Sequence, residues 1–162
     1  MNEGLKEHYL EFARYHTWAN RRTAELLDAL VPDVLAGEQA GLRLFSHLLR
    51  AEAVWLGRIR GTADAALPIW ETDTLSICRE RLETNAAAFG ETLFTSTDLS
   101  KRVDYASSQG TEYSTAVADI FSHVFNHGTH HRGQILLLLR EAGNAPAPLD
   151  YIAYVRLRES SI

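Results

Sequence analysis

Cysteine is almost absent from this chain. The one thiol, Cys78, excludes an internal disulfide, fits a reducing compartment, and cannot by itself build a thiolate zinc cluster. Proline is sparse too, four residues in 162, and no segment is low in complexity, so no part of the chain reads as disordered. Long apolar runs are missing as well. The longest, Ile135 to Leu139, is far short of a membrane span, and the charged N-terminal stretch MNEGLKEHYLEFARYH has no apolar core of a signal peptide. A cytoplasmic protein is the expectation. Basic clusters are lacking too: the net charge is −5, the pI about 5.8, and no Lys/Arg run exceeds Arg21-Arg22. Direct nucleic-acid binding needs several phosphate-neutralising cations on one face, so it is not expected.

What is present is an ordinary globular composition, 46% hydrophobic and 23% charged. A single domain over residues 1–162 is expected, long enough to bury roughly 70% of its unfolded surface without staples. Helical periodicity dominates. Tyr9, Phe12, His16, Ala19, Thr23, Leu26 and Leu30 mark one face of a long helix that should stop near Val31-Pro32. Leu44, Leu48, Ala51 and Trp55 mark a second, from Glu38 or Leu42 to Arg60, with Gly61 placed to end it. A third, starting at Thr72 to Thr74, turns Leu75, Cys78, Leu82, Ala86, Phe89 and Leu93 inward, which makes Cys78 a small buried hydrophobe rather than a nucleophile.

Between Lys101 and Ser114 the helical period fails, and the segment reads as two short strands joined at Ser107 to Gly110. Ser114 is the N-cap expected for a fourth helix that runs to Ala142 and stops at Gly143. Asp150 should cap a short last helix, Tyr151 to Glu159. The expected fold is therefore all-α, a four-helix bundle with a short β-hairpin before helix four and a short C-terminal helix.

The chemistry concentrates in Phe121 to Arg140, FSHVFNHGTHHRGQILLLLR, which holds four of the seven histidines. His127 and His131 are four residues apart, hence stacked on one helix face about 6 Å apart along the axis. That face continues through Val117, Ile120, Val124, Gln134 and Leu138, an apolar seam with imidazole at its centre. Buried imidazoles need partners, and a metal ion is one. Helix midpoints put His16 and His47 at similar depth, so either could supply a third ligand. His123, about 12 Å from His131, and His130 are assigned supporting roles. Asp119, Asn126, Gln134 and Glu52 are candidates to orient the imidazoles. The HxxxH spacing lacks the internal glutamate of zincins and carries no hydrolase mechanism.

These residues also carry a resemblance. HVFNHGTHHRGQILLLLREAG followed by APAPLDYIAYVR, with YHTWANRR in helix one and FSHLLRAEAVWLGRIRG in helix two, is similar to the DinB/YfiT-like family of metal-binding four-helix-bundle proteins across essentially the whole chain. The resemblance implies up-down-down-up helix order and a divalent metal, zinc or nickel foremost, on His47, His127 and His131. It also implies a homodimer. Some such proteins are metal-dependent enzymes that use low-molecular-weight thiols, so an S-transferase or isomerase acting on a small-molecule substrate is expected, or a hydrolase, with metal-bound water or thiol as the reacting group. The competing readings are a non-catalytic metal-binding stress-response protein and a metal-free dimeric interaction module.

Overall fold

A computed structural model describes residues 3–29, 35–62, 67–95, 98–107 and 109–160. The helices are α1 (Glu3–Asp28), α2 (Leu35–Arg60), α3 (Leu75–Thr95), α4 (Val117–Glu141) and α5 (Tyr151–Glu159), with strands β1 (Arg102–Ala106) and β2 (Glu112–Ala116) between α3 and α4. Among the described residues no helix is long and apolar enough to cross a membrane. The expected stop at Val31-Pro32 lies outside the described residues.

Side-chain pairs fix the direction of each helix. Arg21 meets Glu83, Arg79 meets Asp28 and Lys6 meets the Phe94 carbonyl, so α1 and α3 are antiparallel. Asn85 bonds the Leu49 carbonyl and Arg60 bonds Glu91, so α2 and α3 are parallel. Tyr9 donates to the Ala118 carbonyl and Arg132 to Asn20, so α1 and α4 are parallel. Trp55 packs on His123 and His47 on His131, so α2 and α4 are antiparallel. The order is up-down-down-up. Around the bundle the helices follow α1, α3, α2, α4, which puts α1 diagonal to α2 and α3 diagonal to α4.

Two apolar clusters fill the interior. One gathers Tyr9, Phe89, Leu93, Val117, Ile120, Phe121 and Phe125 near the hairpin. The other gathers Leu27, Phe45, Leu48, Cys78, Leu82, Ile135 and Leu139 at the opposite end. Cys78 is fully buried, as its stripe position implied. Helix ends are chemically defined. Gly61 and Gly143 take φ of +71° and +85°, where a Cβ would be strained. After α4 the Gly143 amide returns to the Arg140 carbonyl and the Asn144 amide to that of Leu139, the paired bonds of a Schellman ending.

The start of α4 differs from expectation. Ser114 belongs to β2, paired with Asp104, and the helix begins directly after Ala116, which has no capping side chain. The first amides are satisfied instead by the chain before β1: Val117 N–H donates to the Lys101 carbonyl and Ala118 N–H to that of Leu99, both at 2.9 Å. Backbone caps of this kind replace a side-chain cap without any sequence signature. Asp150 does stand at the N-cap of α5, but its carboxylate makes no capping bond; its carbonyl accepts from Ala153 and Tyr154. The α4 seam also rotates near its end. Gln134 is exposed and Leu138 half-buried, while Arg132, Ile135 and Leu139 face the interior.

Candidate metal centre

The antiparallel packing of α2 on α4 brings His47 opposite His127 and His131. The three ring centroids form a triangle of 4.4, 4.9 and 5.3 Å sides, and one nitrogen from each ring lies within 4.8 Å of the others. His127 Nε2 and His131 Nε2 are 3.1 Å apart. Two nitrogens on one tetrahedral ion at 2.0–2.1 Å would be roughly 3.3 Å apart, so the spacing fits a shared ion.

Hydrogen bonds on the outer edges of two rings fix their tautomers. The Nδ1–H of His131 donates to Gln134 Oε1 at 2.7 Å. The Nδ1–H of His47 donates to the Ile69 carbonyl at 2.9 Å. Each bond leaves Nε2 as a bare lone pair aimed at the centre, the arrangement that orients imidazole ligands. Burial holds His127, His47 and His131 below the usual imidazole range; His127, with burial first and the neighbouring histidines adding to it, is pushed down to about 4. All three are thus neutral near pH 7, the form that binds metal.

The segment after α2 is clamped in place by a buried arginine. Arg50 bonds Asp73 at 2.8 and 2.5 Å and the Pro68 carbonyl at 3.0 Å. This sets Ile69 and Trp70 over the site. The Trp70 indole stacks on His47 at 3.6 Å with 7° between planes, yet is itself half exposed, so the cover is one ring thick.

Next to the cluster lies a second polar group that spans all four long helices. Glu52 of α2, 2% exposed, accepts from His16 Nε2 at 2.6 Å and Asn20 Nδ2 at 3.0 Å on α1, and from Asn85 Nδ2 at 3.0 Å on α3. Arg132 of α4 donates to Asn20 Oδ1 at 2.8 Å and reaches His16 Nδ1 at 3.2 Å. Burial pushes the Glu52 carboxyl up, but His16, Asn85 and Asn20 outweigh it and the net direction is down. Burial keeps His16 below its usual range despite Glu52. A neutral His16 therefore bridges a buried carboxylate and a buried guanidinium, each desolvated and each compensated.

His47, His127 and His131 come together. His16 shares their depth but turns the other way, into the Glu52 group. Gln134 orients His131, as expected, though from an exposed position. Glu52 belongs to the central group, and Asp119 and Asn126 are exposed, whereas the imidazoles bond Ile69 and Gln134. His123 stands between Trp55 and His127, its ring 5.1 and 5.5 Å from theirs; His130 is exposed and meets His131 edge to face. Sequence reasoning missed Ile69, whose contribution is a backbone carbonyl, and Arg132, which reads as a solvated charge. It also passed over Gly128. A Cβ there would lie 2.2 Å from His16 Cε1, and a glycine inside an otherwise strong helix is a signal of close approach.

Fold and site together define a helix-bundle protein with a three-histidine cluster able to hold a metal ion. The donor set fits such an ion: three neutral imidazoles and no carboxylate in the group. The chain belongs to the DinB family, whose profile matches residues 1–161. It is 28% identical over 159 residues to Protein DinB of Bacillus subtilis (strain 168), covering 87% of this chain and 90% of that protein. Another Bacillus subtilis protein, YizA, is 26% identical over 141 residues, covering 86% of each. A crystal structure of a DinB-like protein from Bacillus cereus superposes with a TM-score of 0.57 at 23% identity, covering 85% of this chain and 94% of that one. That likeness supports the fold.

Proposed function

We propose that His47, His127 and His131 bind one divalent metal, zinc or nickel, and that the protein is a metal-dependent enzyme for a small electrophilic substrate and a low-molecular-weight thiol. The observation that carries this reading is the pair of outer hydrogen bonds, from His47 to Ile69 and from His131 to Gln134. They aim bare Nε2 atoms at one point, an arrangement that a purely structural histidine pair does not need. Among the described residues the group has three donors, which leaves a tetrahedral ion one open position, the mark of catalytic rather than structural sites. A divalent ion held there supplies Lewis acidity and lowers the pKa of a coordinated thiol or water. The chain itself contributes orientation through Gln134 and Ile69, and a thin hydrophobic cover through Trp70. No side chain in the group is a general base.

The alternative is a non-catalytic metal-binding protein, distinguished by what occupies the fourth position. Elemental analysis of untagged protein should give about one divalent ion per chain, and His127→Ala with His131→Ala together should abolish it. Full stoichiometry in the double variant sinks the site. Metal-loaded protein should consume an electrophile such as a halonitrobenzene only when a small thiol is added; failure with every thiol would favour hydrolysis or a binding role.

A further inference from the structure

Arg58 lies on α2 eleven residues beyond His47. Eleven residues complete three turns with about 20° to spare, so the two side chains share one helix face, roughly 16 Å apart along the axis. Helical side chains lean toward the N-terminus, which brings the guanidinium back toward the centre. Its Cζ sits 4.4 Å from the Trp55 ring centroid and 4.5 Å from that of Tyr105. The two rings meet edge to face at 5.0 Å and 82°, forming a corner that the guanidinium fills. One Nη2–H donates to the Ala106 carbonyl at 3.2 Å. The group is thus fixed in position by two aromatic walls and one carbonyl.

What Arg58 does not have, among the described residues, is a carboxylate. Several arginines of this bundle do have one: Arg50 pairs with Asp73 and Glu71, Arg60 with Glu91, Arg21 with Glu83. Arg58 is half-buried, and burial pulls its pKa down. A desolvated cation with free N–H donors presents an anion-binding edge. The way from that edge to the metal centre is paved with rings. Trp55 lies against His123, and His123 against His127.

The geometry points to Arg58, set between Trp55 and Tyr105, as the anchor for a carboxylate on an elongated ligand whose other end reaches the His47–His127–His131 centre. One guanidinium held without a carboxylate partner matches the single charge of a carboxylate. The planar guanidinium matches its two oxygens. This inference rests on the proposed metal–thiol function and specifies which thiols the site selects: those with a distal carboxylate.

The test uses cobalt-loaded full-length protein, titrated with glutathione and with glutathione diethyl ester. Both carry the same thiol on the same frame, and only the first carries anionic carboxylates. Thiolate-to-cobalt absorption reads binding at the metal. The wild type should prefer glutathione by about tenfold, the lower range for a charged hydrogen bond at a partly exposed site. Arg58→Gln should erase the preference while keeping the affinity for the diester, and Arg58→Lys should retain part of it. Unchanged cobalt spectra and thermal midpoints show that the variants are folded. Equal affinities in the wild type, or an undiminished preference in Arg58→Gln, overturn the assignment of Arg58 and leave the metal–thiol reading standing. Absence of the absorption band with both thiols overturns that reading and the inference with it.

Discussion

Replacing Gly128 by alanine should destabilise this protein, although the same replacement in most helices does the reverse. Alanine is favoured over glycine inside a helix by roughly 0.8–1 kcal/mol. At Gly128 the new methyl would lie 2.2 Å from His16 Cε1, 3.0 Å from His16 Nδ1 and 2.9 Å from an Arg132 nitrogen. Yielding is costly there, because His16 is 1% exposed and bonded on one side to Glu52 and on the other to Arg132. Overpacking costs about 1–3 kcal/mol, and displacing His16 from a charged partner a further 1.5–3 kcal/mol or so. After subtracting the propensity gain, the net loss is on the order of 2–4 kcal/mol, which for a domain of this length lowers the melting temperature by roughly 5–15 °C. Gly133 provides the control. It lies in the same helix, is exposed, and a Cβ there meets nothing within 4 Å. Gly133→Ala should raise stability by up to about 1 kcal/mol. Urea titrations of both variants decide the matter: a Gly128→Ala protein as stable as Gly133→Ala would refute the close approach of His16 to α4.

Three further outcomes are expected. Glu52→Leu strands the Arg132 charge and the His16, Asn20 and Asn85 donors, and should cost about 3–5 kcal/mol in denaturant titration; a neutral result would mean that the central group is not bonded as described. For metal-free protein, His127 has a folded pKa of about 4 against an unfolded value near 6.5. Between these values the unfolded chain binds a proton that the folded one refuses, so stability is full above about pH 6.5 and falls as pH drops toward 4. Urea midpoints in chelator from pH 7.5 to 4.5 should show the decline, and His127→Leu should flatten it; an identical slope in that variant contradicts the assignment. Cys78 is fully buried and burial pushes its thiol up, so a disulfide reagent should leave native protein untouched and label one thiol per chain in guanidinium. Rapid labelling of native protein would place Cys78 outside the core.

The helices were readable because apolar residues recur at helical spacing along each of them, and the C-terminal ends of α2 and α4 because Gly61 and Gly143 permit a backbone that other residues resist. The stacked His127 and His131 were readable for the same reason, as two positions of one helix need no knowledge of the fold. His47 came from the family resemblance, since spacing alone left His16 equally placed. The choice between them depends on which side of α4 each neighbour occupies, and that is a property of helix order. The Glu52 group was illegible on the same ground: positions 16, 52, 85 and 132 acquire meaning only when four helices surround one point. Ser114 misled because polar residues before a helix usually cap it, whereas here the Leu99 and Lys101 carbonyls take the amides. Gly128 was legible in principle, as an unfavourable residue in the best-formed helix.

The helix order has a consequence for how the chain finds its fold. In an up-down-up-down bundle each short connection joins two helices that pack side by side, so helical hairpins form early from nearby residues. Here α1 and α2 lie across a diagonal, as do α3 and α4, and only the parallel pair α2 and α3 is adjacent both in sequence and in space. The interfaces between α1 and α4 join residues such as Tyr9 and Ala118, more than a hundred positions apart. Loop closure over such distances precedes the contacts that reward it. This bundle should therefore fold more slowly than an up-down-up-down bundle of equal length and stability, and neither half of the chain should hold its structure alone.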